Sequence, residues 1–199
     1  MITVVGVGPG NPKFLTSYAL EKIKEAKVLI GGKRLLEQFD TRAKKIPYDR
    51  NFDLKSIDKL GDGVVILASG DPLLYGIANT LLKNFGEEKI EIIPGISCVQ
   101  YMASKLKISL NDAKVVSVHG REEKLEEILN YKKIFIFTDK ENTPQKIAKD
   151  LRKASCTDYV IFVGENLSYE NEKICRFTLK ELAEYEYEFG INLVLLLGE

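Results

Sequence analysis

Three short segments combine glycine with residues that bind through the main chain: Gly6-Val7-Gly8-Pro9-Gly10, Ser69-Gly70-Asp71-Pro72 and Pro94-Gly95-Ile96-Ser97-Cys98. Glycine lets a ligand come close to the backbone, and a neighbouring aspartate or serine adds an acceptor. Each segment follows an apolar, β-branched run. The C-terminal ends of parallel strands are where open α/β sheets place their ligands. Nucleophilic catalysis has no comparable signal, because the chain carries no Ser-His-Asp or Cys-His pattern. His119 is the single histidine, and the three cysteines, Cys98, Cys156 and Cys175, form no CxxC pair. No metal centre and no disulfide framework is therefore expected.

Each segment also has a plainer reading. The first can be a tight turn after a strand. It does not suit dinucleotide binding, because its third glycine follows the second too soon and Pro12 stands where a Rossmann helix would start. A nicotinamide-binding oxidoreductase also needs an acidic residue about 20 residues on, and Gly31-Gly32 follows the second strand instead. Asp71 can be a helix N-cap, and so can Ser97. Gly31-Gly32-Lys33-Arg34 lacks the spacing of a phosphate loop and reads as a turn. What distinguishes the three segments is their joint occurrence, each between a strand and a helix.

The elements that must position them alternate along the chain. Ile2 to Val7, Lys27 to Ile30, Gly63 to Ala68 and Ile90 to Ile93 read as strands. Helices are expected around Leu15 to Ile23, from Pro72 through Leu82 with Leu73, Leu74, Ile77 and Leu81 buried, and from Ile96 to Lys105. Runs apolar on both faces, such as Gly63 to Ala68, suit parallel strands covered on both sides. The polar stretch Ile108 to Lys114 marks a boundary. Beyond it come strands at Val115 to His119, Lys133 to Thr138 and Tyr159 to Val163, with helices at Glu122 to Leu129 and Pro144 to Lys153. Lys173 to Thr178 and Asn192 to Leu197 read as two further strands, antiparallel neighbours of one another. The expected fold class is α/β: two α/β domains, 1–112 and 113–199, with the ligand cleft between them.

Composition agrees with a globular protein and excludes disordered and fibrous classes. Of 199 residues, 45% are apolar and 29% charged, and 29 Lys and Arg balance 29 Asp and Glu. That balance argues against a nucleic-acid partner held mainly through phosphates. No apolar run approaches the roughly 18 residues that span a bilayer. Ile2 to Val7 has no basic flank of the secretory kind, so a reduced, cytoplasmic protein is expected.

With these segments in this order, the chain resembles the tetrapyrrole (corrin and porphyrin) methylases along nearly its full length. The resemblance implies an S-adenosylmethionine-dependent C-methyltransferase with two α/β domains, the donor folded between them, and a homodimer. The stretch Val116-Ser117-Val118-His119-Gly120-Arg121 and the short length favour the branch that methylates carbon 5 of cobalt-precorrin-7, in cobalamin biosynthesis. The substrate implied is thus a small-molecule corrinoid. A separate decarboxylating C(15)-methyltransferase is an implied partner, since no second methyltransferase domain is fused here. A family member acting on another corrin carbon or on RNA is the alternative.

Carried over by motif, the resemblance puts donor contacts on Pro9, Gly70, Asp71, Leu74, Ser97 and Cys98. In the second domain it puts them on Thr138, Leu167 and Ile191 or Asn192. Gly8, Gly10 and Arg121 are the implied substrate contacts, Arg121 because a guanidinium fork matches the carboxylates of a tetrapyrrole. Methyl transfer from a sulfonium to an electron-rich carbon is an in-line displacement that depends mainly on alignment. A proton leaves the carbon, and Asp71 and His119 are the candidate bases.

Overall fold

The computed structural model describes residues 1–49, 51–118, 129–154 and 159–198. The chain divides into two compact units, Met1–Cys98 and Val99–Glu199. This division falls before the polar stretch expected to mark it.

The first unit is a five-stranded sheet in the order β3-β2-β4-β1-β5, with every pairing parallel. Its strands are β1 (Ile2–Gly6), β2 (Val28–Gly31), β3 (Lys44–Pro47), β4 (Val64–Ala68) and β5 (Ile90–Ile93). Alternation along the strands builds two cores. Ile2, Val4, Val28, Ile30, Val64 and Ile66 face one side, where they meet Leu81 and Phe85 of helix α3 (Ala78–Phe85). Val5, Leu29, Val65 and Leu67 face the other, against Ala19 and Ile23 of helix α1 (Ser17–Glu25) and Leu35 and Leu36 of the short helix α2 (Lys33–Leu36). Thr16 caps α1 by accepting the Ala19 N–H at 3.1 Å.

Two local features depart from the pattern expected of the sequence. The edge strand β3 is polar, Lys44-Lys45-Ile46-Pro47, and carries no alternation of its own; it pairs on one side only, with β2. Helix α3 begins at Ala78 rather than Pro72. Residues 71–77 form an irregular loop in which Tyr75 takes a left-handed conformation at φ 54°. Leu73 and Leu74 therefore lie in that loop, and Ala78, Leu81 and Phe85 form the buried face of the helix.

In the second unit, helix α4 (Cys98–Leu106) leads into a mixed sheet of order β6-β7-β10-β8-β9. The strands are β6 (Ala113–Ser117), β7 (Lys133–Phe137), β8 (Tyr159–Glu165), β9 (Lys173–Phe177) and β10 (Asn192–Gly198). Helices α5 (Pro144–Lys153) and α6 (Leu179–Ala183) pack Ile147, Leu151 and Leu182 against Ile134, Ile136, Ile161, Val194 and Leu196. α4 falls with this unit for a physical reason: its Met102 sulfur lies 3.1 Å from where a Cβ on Gly164 of β8 would stand.

β9 and β10 are not neighbours, contrary to the sequence reading. β10 runs antiparallel to both β7 and β8 and separates them, while β9 pairs with β8 at the sheet edge. Burial explains the choice. Leu193 to Leu196 are all buried and need cover on both faces, whereas β9 alternates Lys173, Ile174, Cys175, Arg176 and Phe177 and can stand at an edge. The expected helix over Glu122 to Leu129 falls almost wholly outside the described residues.

Candidate active site

In the first unit the order β4-β1-β5 puts the ends of three adjacent strands side by side, and the three glycine segments leave from those ends. The chains approach so closely that side chains are excluded. A Cβ on Gly6 would lie 2.5 Å from the Gly95 nitrogen, and one on Gly95 would strike the Gly70 carbonyl oxygen and lie 2.8 Å from the Gly6 Cα. Gly8 and Gly70, both at positive φ, form a two-way bridge. The Gly70 N–H donates to the Gly8 carbonyl at 2.8 Å, and the Gly8 N–H donates to the Gly70 carbonyl at 3.3 Å.

Asp71 locks this arrangement. Its Oδ1 accepts the N–H groups of Leu73, at 2.8 Å, and Leu74, at 3.3 Å. Its Oδ2 accepts the Gly95 N–H at 3.2 Å. The sequence reading of Asp71 as the cap of a helix thus becomes a cap on a loop, with a cross-link to the next strand end. Pro9 and Gly10 are buried beside the bridge, Ser97 is buried, and Cys98 opens α4 half-buried. Leu74 is half-buried in the 71–77 loop, between the exposed side chains of Leu73 and Tyr75. The first unit therefore gathers Gly8, Pro9, Gly10, Gly70, Asp71, Leu74, Ser97 and Cys98 at one end of one sheet.

The second unit gathers its own set. The Thr138 hydroxyl, just past β7, lies 2.8 Å from the Asn192 Oδ1 and 3.1 Å from the Asn192 carbonyl. The Asn166 N–H, just past β8, donates to the Ile191 carbonyl at 2.8 Å. Because β10 runs against β7 and β8, its first residues meet the last residues of both, so Thr138, Leu167, Ile191 and Asn192 share one sheet end. Leu167 is buried and Ile191 exposed.

Two carboxylates that the sequence reading did not single out support this end. Glu165, buried at the end of β8, accepts the Gly190 N–H at 2.6 Å and the Tyr187 hydroxyl at 3.1 Å. Glu172 accepts the Ser168 N–H at 2.6 Å and pairs with Lys105 of α4 at 3.2 Å. Burial alone would push the Glu172 carboxyl up, but bonds from Tyr101, Ser168 and Lys105 hold it below its ordinary range. Glu165 ends an apolar strand, and a charged residue there that needs N–H partners is the one signal the sequence carried. His119 and Arg121 lie outside the described residues. Among the described residues no cluster of His, Cys, Asp or Glu is arranged to hold a metal, and no helix is long and apolar enough to cross a membrane.

A family model described as Tetrapyrrole (Corrin/Porphyrin) Methylases matches residues 1–183. The chain belongs to the tetrapyrrole methylases. Within that family it is 40% identical, over the whole length of both chains, to the cobalt-precorrin-7 C(5)-methyltransferase of Salmonella typhimurium. It is 37% identical to a probable cobalt-precorrin-7 C(5)-methyltransferase of Methanocaldococcus jannaschii, covering 95% of this chain and 94% of the relative. Among solved tetrapyrrole methylases, a precorrin-6Y methylase of Archaeoglobus fulgidus superposes with a TM-score of 0.72 at 26% identity, covering 100% of this chain and 98% of that one. A uroporphyrin-III C-methyltransferase of Thermus thermophilus, solved with S-adenosylhomocysteine, shares the fold with a TM-score of 0.81 at 22% identity, covering 98% and 91%.

Proposed function

We propose that this tetrapyrrole methylase transfers a methyl group from S-adenosylmethionine to carbon 5 of cobalt-precorrin-7. The observation that carries this reading is the full-length 40% identity to a cobalt-precorrin-7 C(5)-methyltransferase.

The residues at the two sheet ends fit the donor in kind. At Gly70 a Cβ would meet only the Ser97 Cα, at 3.6 Å, so the peptide is bare on that side and open to a ligand. Gly70, Asp71, Leu74, Ser97 and Cys98, with Pro9, are the first unit's contacts in this reading. Thr138, Leu167, Ile191 and Asn192 are the second unit's. Peptide groups, one hydroxyl and one amide suit the uncharged edges of adenine and ribose. Bound there, S-adenosylmethionine supplies an electrophilic methyl on a cationic sulfur. The chain's own contribution is to hold the acceptor carbon in line with it and to keep water out. Asp71, with both oxygens already accepting N–H bonds, acts by shaping the loop. His119 is then the base and Arg121 the carboxylate clamp, with Gly8 and Gly10 facing the corrinoid.

A homodimer and a cytoplasmic location belong to the same reading, through the family resemblance. So does a separate decarboxylating C(15) enzyme. Its support is a precorrin-6Y C(5,15)-methyltransferase [decarboxylating] of Sinorhizobium, 35% identical over 60% of this chain but only 30% of that longer relative.

The test is incubation of the purified protein with cobalt-precorrin-7 and S-adenosylmethionine labelled with carbon-13 at the methyl. A single new methyl signal on carbon 5 is expected. Methylation of another ring carbon, or none with the donor bound, overturns the assignment.

A further inference from the structure

The loop after β8 holds two non-glycine residues in the left-handed region, Asn166 at φ 48° and Ser168 at φ 71°, on either side of buried Leu167. Asn takes that conformation more readily than other residues with a Cβ, whereas Ser holds it where its surroundings impose it. On one side the constraint is the Asn166 N–H bonded to the Ile191 carbonyl. On the other it is the Ser168 N–H bonded to Glu172 at 2.6 Å. Glu172 is held in turn from α4, by the Lys105 ammonium at 3.2 Å and by the Tyr101 hydroxyl. Tyr101 and Lys105 stand one helical turn apart, and α4 begins immediately after Ser97.

We propose that Glu172 is a positioning residue for the methyl donor: with Tyr101 and Lys105 it keeps the 166–168 loop in the left-handed shape that presents the main chain at Leu167. The inference rests on the reading of S-adenosylmethionine as donor. An ordinary surface ion pair would not serve in this way, being mobile and screened. Here the Lys105 side chain is 47% exposed but that of Glu172 only 18%, and the carboxylate receives a backbone N–H, a phenol and an ammonium at once. Leu167 is fixed on its other face by Gly164, where a Cβ would lie 2.8 Å from the Leu167 side chain. Glu172 is thus the side chain that holds the Ser168 end of the loop, as the Ile191 carbonyl holds the Asn166 end.

The test uses the full chain and two readouts: calorimetric binding of S-adenosylhomocysteine, and steady-state kinetics at varied donor. Glu172→Gln is expected to raise the donor KM and the S-adenosylhomocysteine Kd about tenfold, with kcat at saturating donor within about twofold. Adding Ser168→Gly, which adopts the left-handed conformation freely, should recover part of that loss. A purely structural role would instead lower the active fraction and kcat at unchanged KM, and glycine would rescue nothing; that result overturns the inference. So does wild-type KM and Kd in Glu172→Gln. Tyr101→Phe removes a single hydroxyl and is expected to raise KM about threefold, which keeps the question decidable if Glu172→Gln does not fold. Failure of the wild-type chain to bind S-adenosylhomocysteine would overturn the donor reading beneath, and is measured first.

Discussion

The Oδ2 of Asp71 accepts the backbone N–H of Gly95, 24 residues further along, at 3.2 Å. One carboxylate thereby joins the loop after β4 to the loop after β5, while its other oxygen shapes the loop it belongs to. Removing it should detach both. Asp71→Ala is expected to lower stability by ~1.5–3 kcal/mol through the lost charge-assisted bonds, and to weaken S-adenosylhomocysteine binding because the loop that carries Gly70 and Leu74 loses its shape. The fold should persist by circular dichroism. Unchanged affinity in calorimetry would take Asp71 out of the site.

Gly95 has no room for a methyl group, since its Cβ would strike the Gly70 carbonyl and lie 2.7 Å from the Gly6 carbonyl carbon. Backbone cannot swing aside as a flexible side chain can. Gly95→Ala should cost ~1–3 kcal/mol by overpacking. Gly32 is the control, because nothing lies within 4 Å of its Cβ position. Gly32→Ala should be neutral or slightly stabilising. Urea unfolding of the two variants compares them, and equal midpoints would contradict the close approach.

Thr138 carries its hydroxyl on the first residue past β7 and uses it to hold the first residue of β10. Thr138→Val keeps the shape and leaves Asn192 short of a partner. A loss of ~0.5–1.5 kcal/mol in stability is expected, together with weaker S-adenosylhomocysteine binding. Thr138→Ser should retain both properties, and calorimetry on the pair of variants separates hydroxyl from methyl.

The Glu172 cluster fixes a pH dependence. The Glu172 carboxyl sits below its ordinary 4.5, so its contribution is complete above that value and disappears as pH falls through the lowered one. Burial and the bond to Glu172 raise Tyr101 above 10.0, and the bond to Glu172 raises Lys105 above 10.5. Their contributions are complete below those values and are lost as pH climbs through the raised ones. Stability should therefore be flat across neutral pH with respect to this cluster. Glu172→Gln should remove part of the acid limb, measured as denaturation midpoints between about pH 3 and pH 7.

What the sequence made legible follows from locality. The three glycine segments and the central strands with their β-branched runs are readable because neighbours in sequence decide them. The Asp71 bridge to Gly95 was not, because it depends on β1 lying between β4 and β5. Helix α3 was expected six residues too early because Pro72 suits a helix start, yet Asp71 uses the following N–H groups for a loop instead. β3 leaves no signal in the sequence, since an edge strand needs no apolar pattern. β10 lies between β7 and β8 rather than beside β9 because burial, not adjacency along the chain, decides its place. Glu172 was missed for a similar reason: in sequence it is one acid among several, and only the fold brings Tyr101 and Lys105 to it.

β10 is read last along the chain yet lies at the middle of its sheet. β6 with β7 on one flank, and β8 with β9 on the other, share no direct strand pairing until it inserts. Both units depend on long-range closure: β10 must reach back to β7 and β8, and in the parallel unit Thr3 of β1 waits for Glu91 of β5, 88 residues further along. A cut anywhere in 184–191 would leave β10 held only by its ladders to β7 and β8, and a chain ending before those residues would carry β6 with β7 and β8 with β9 as two unjoined ribbons.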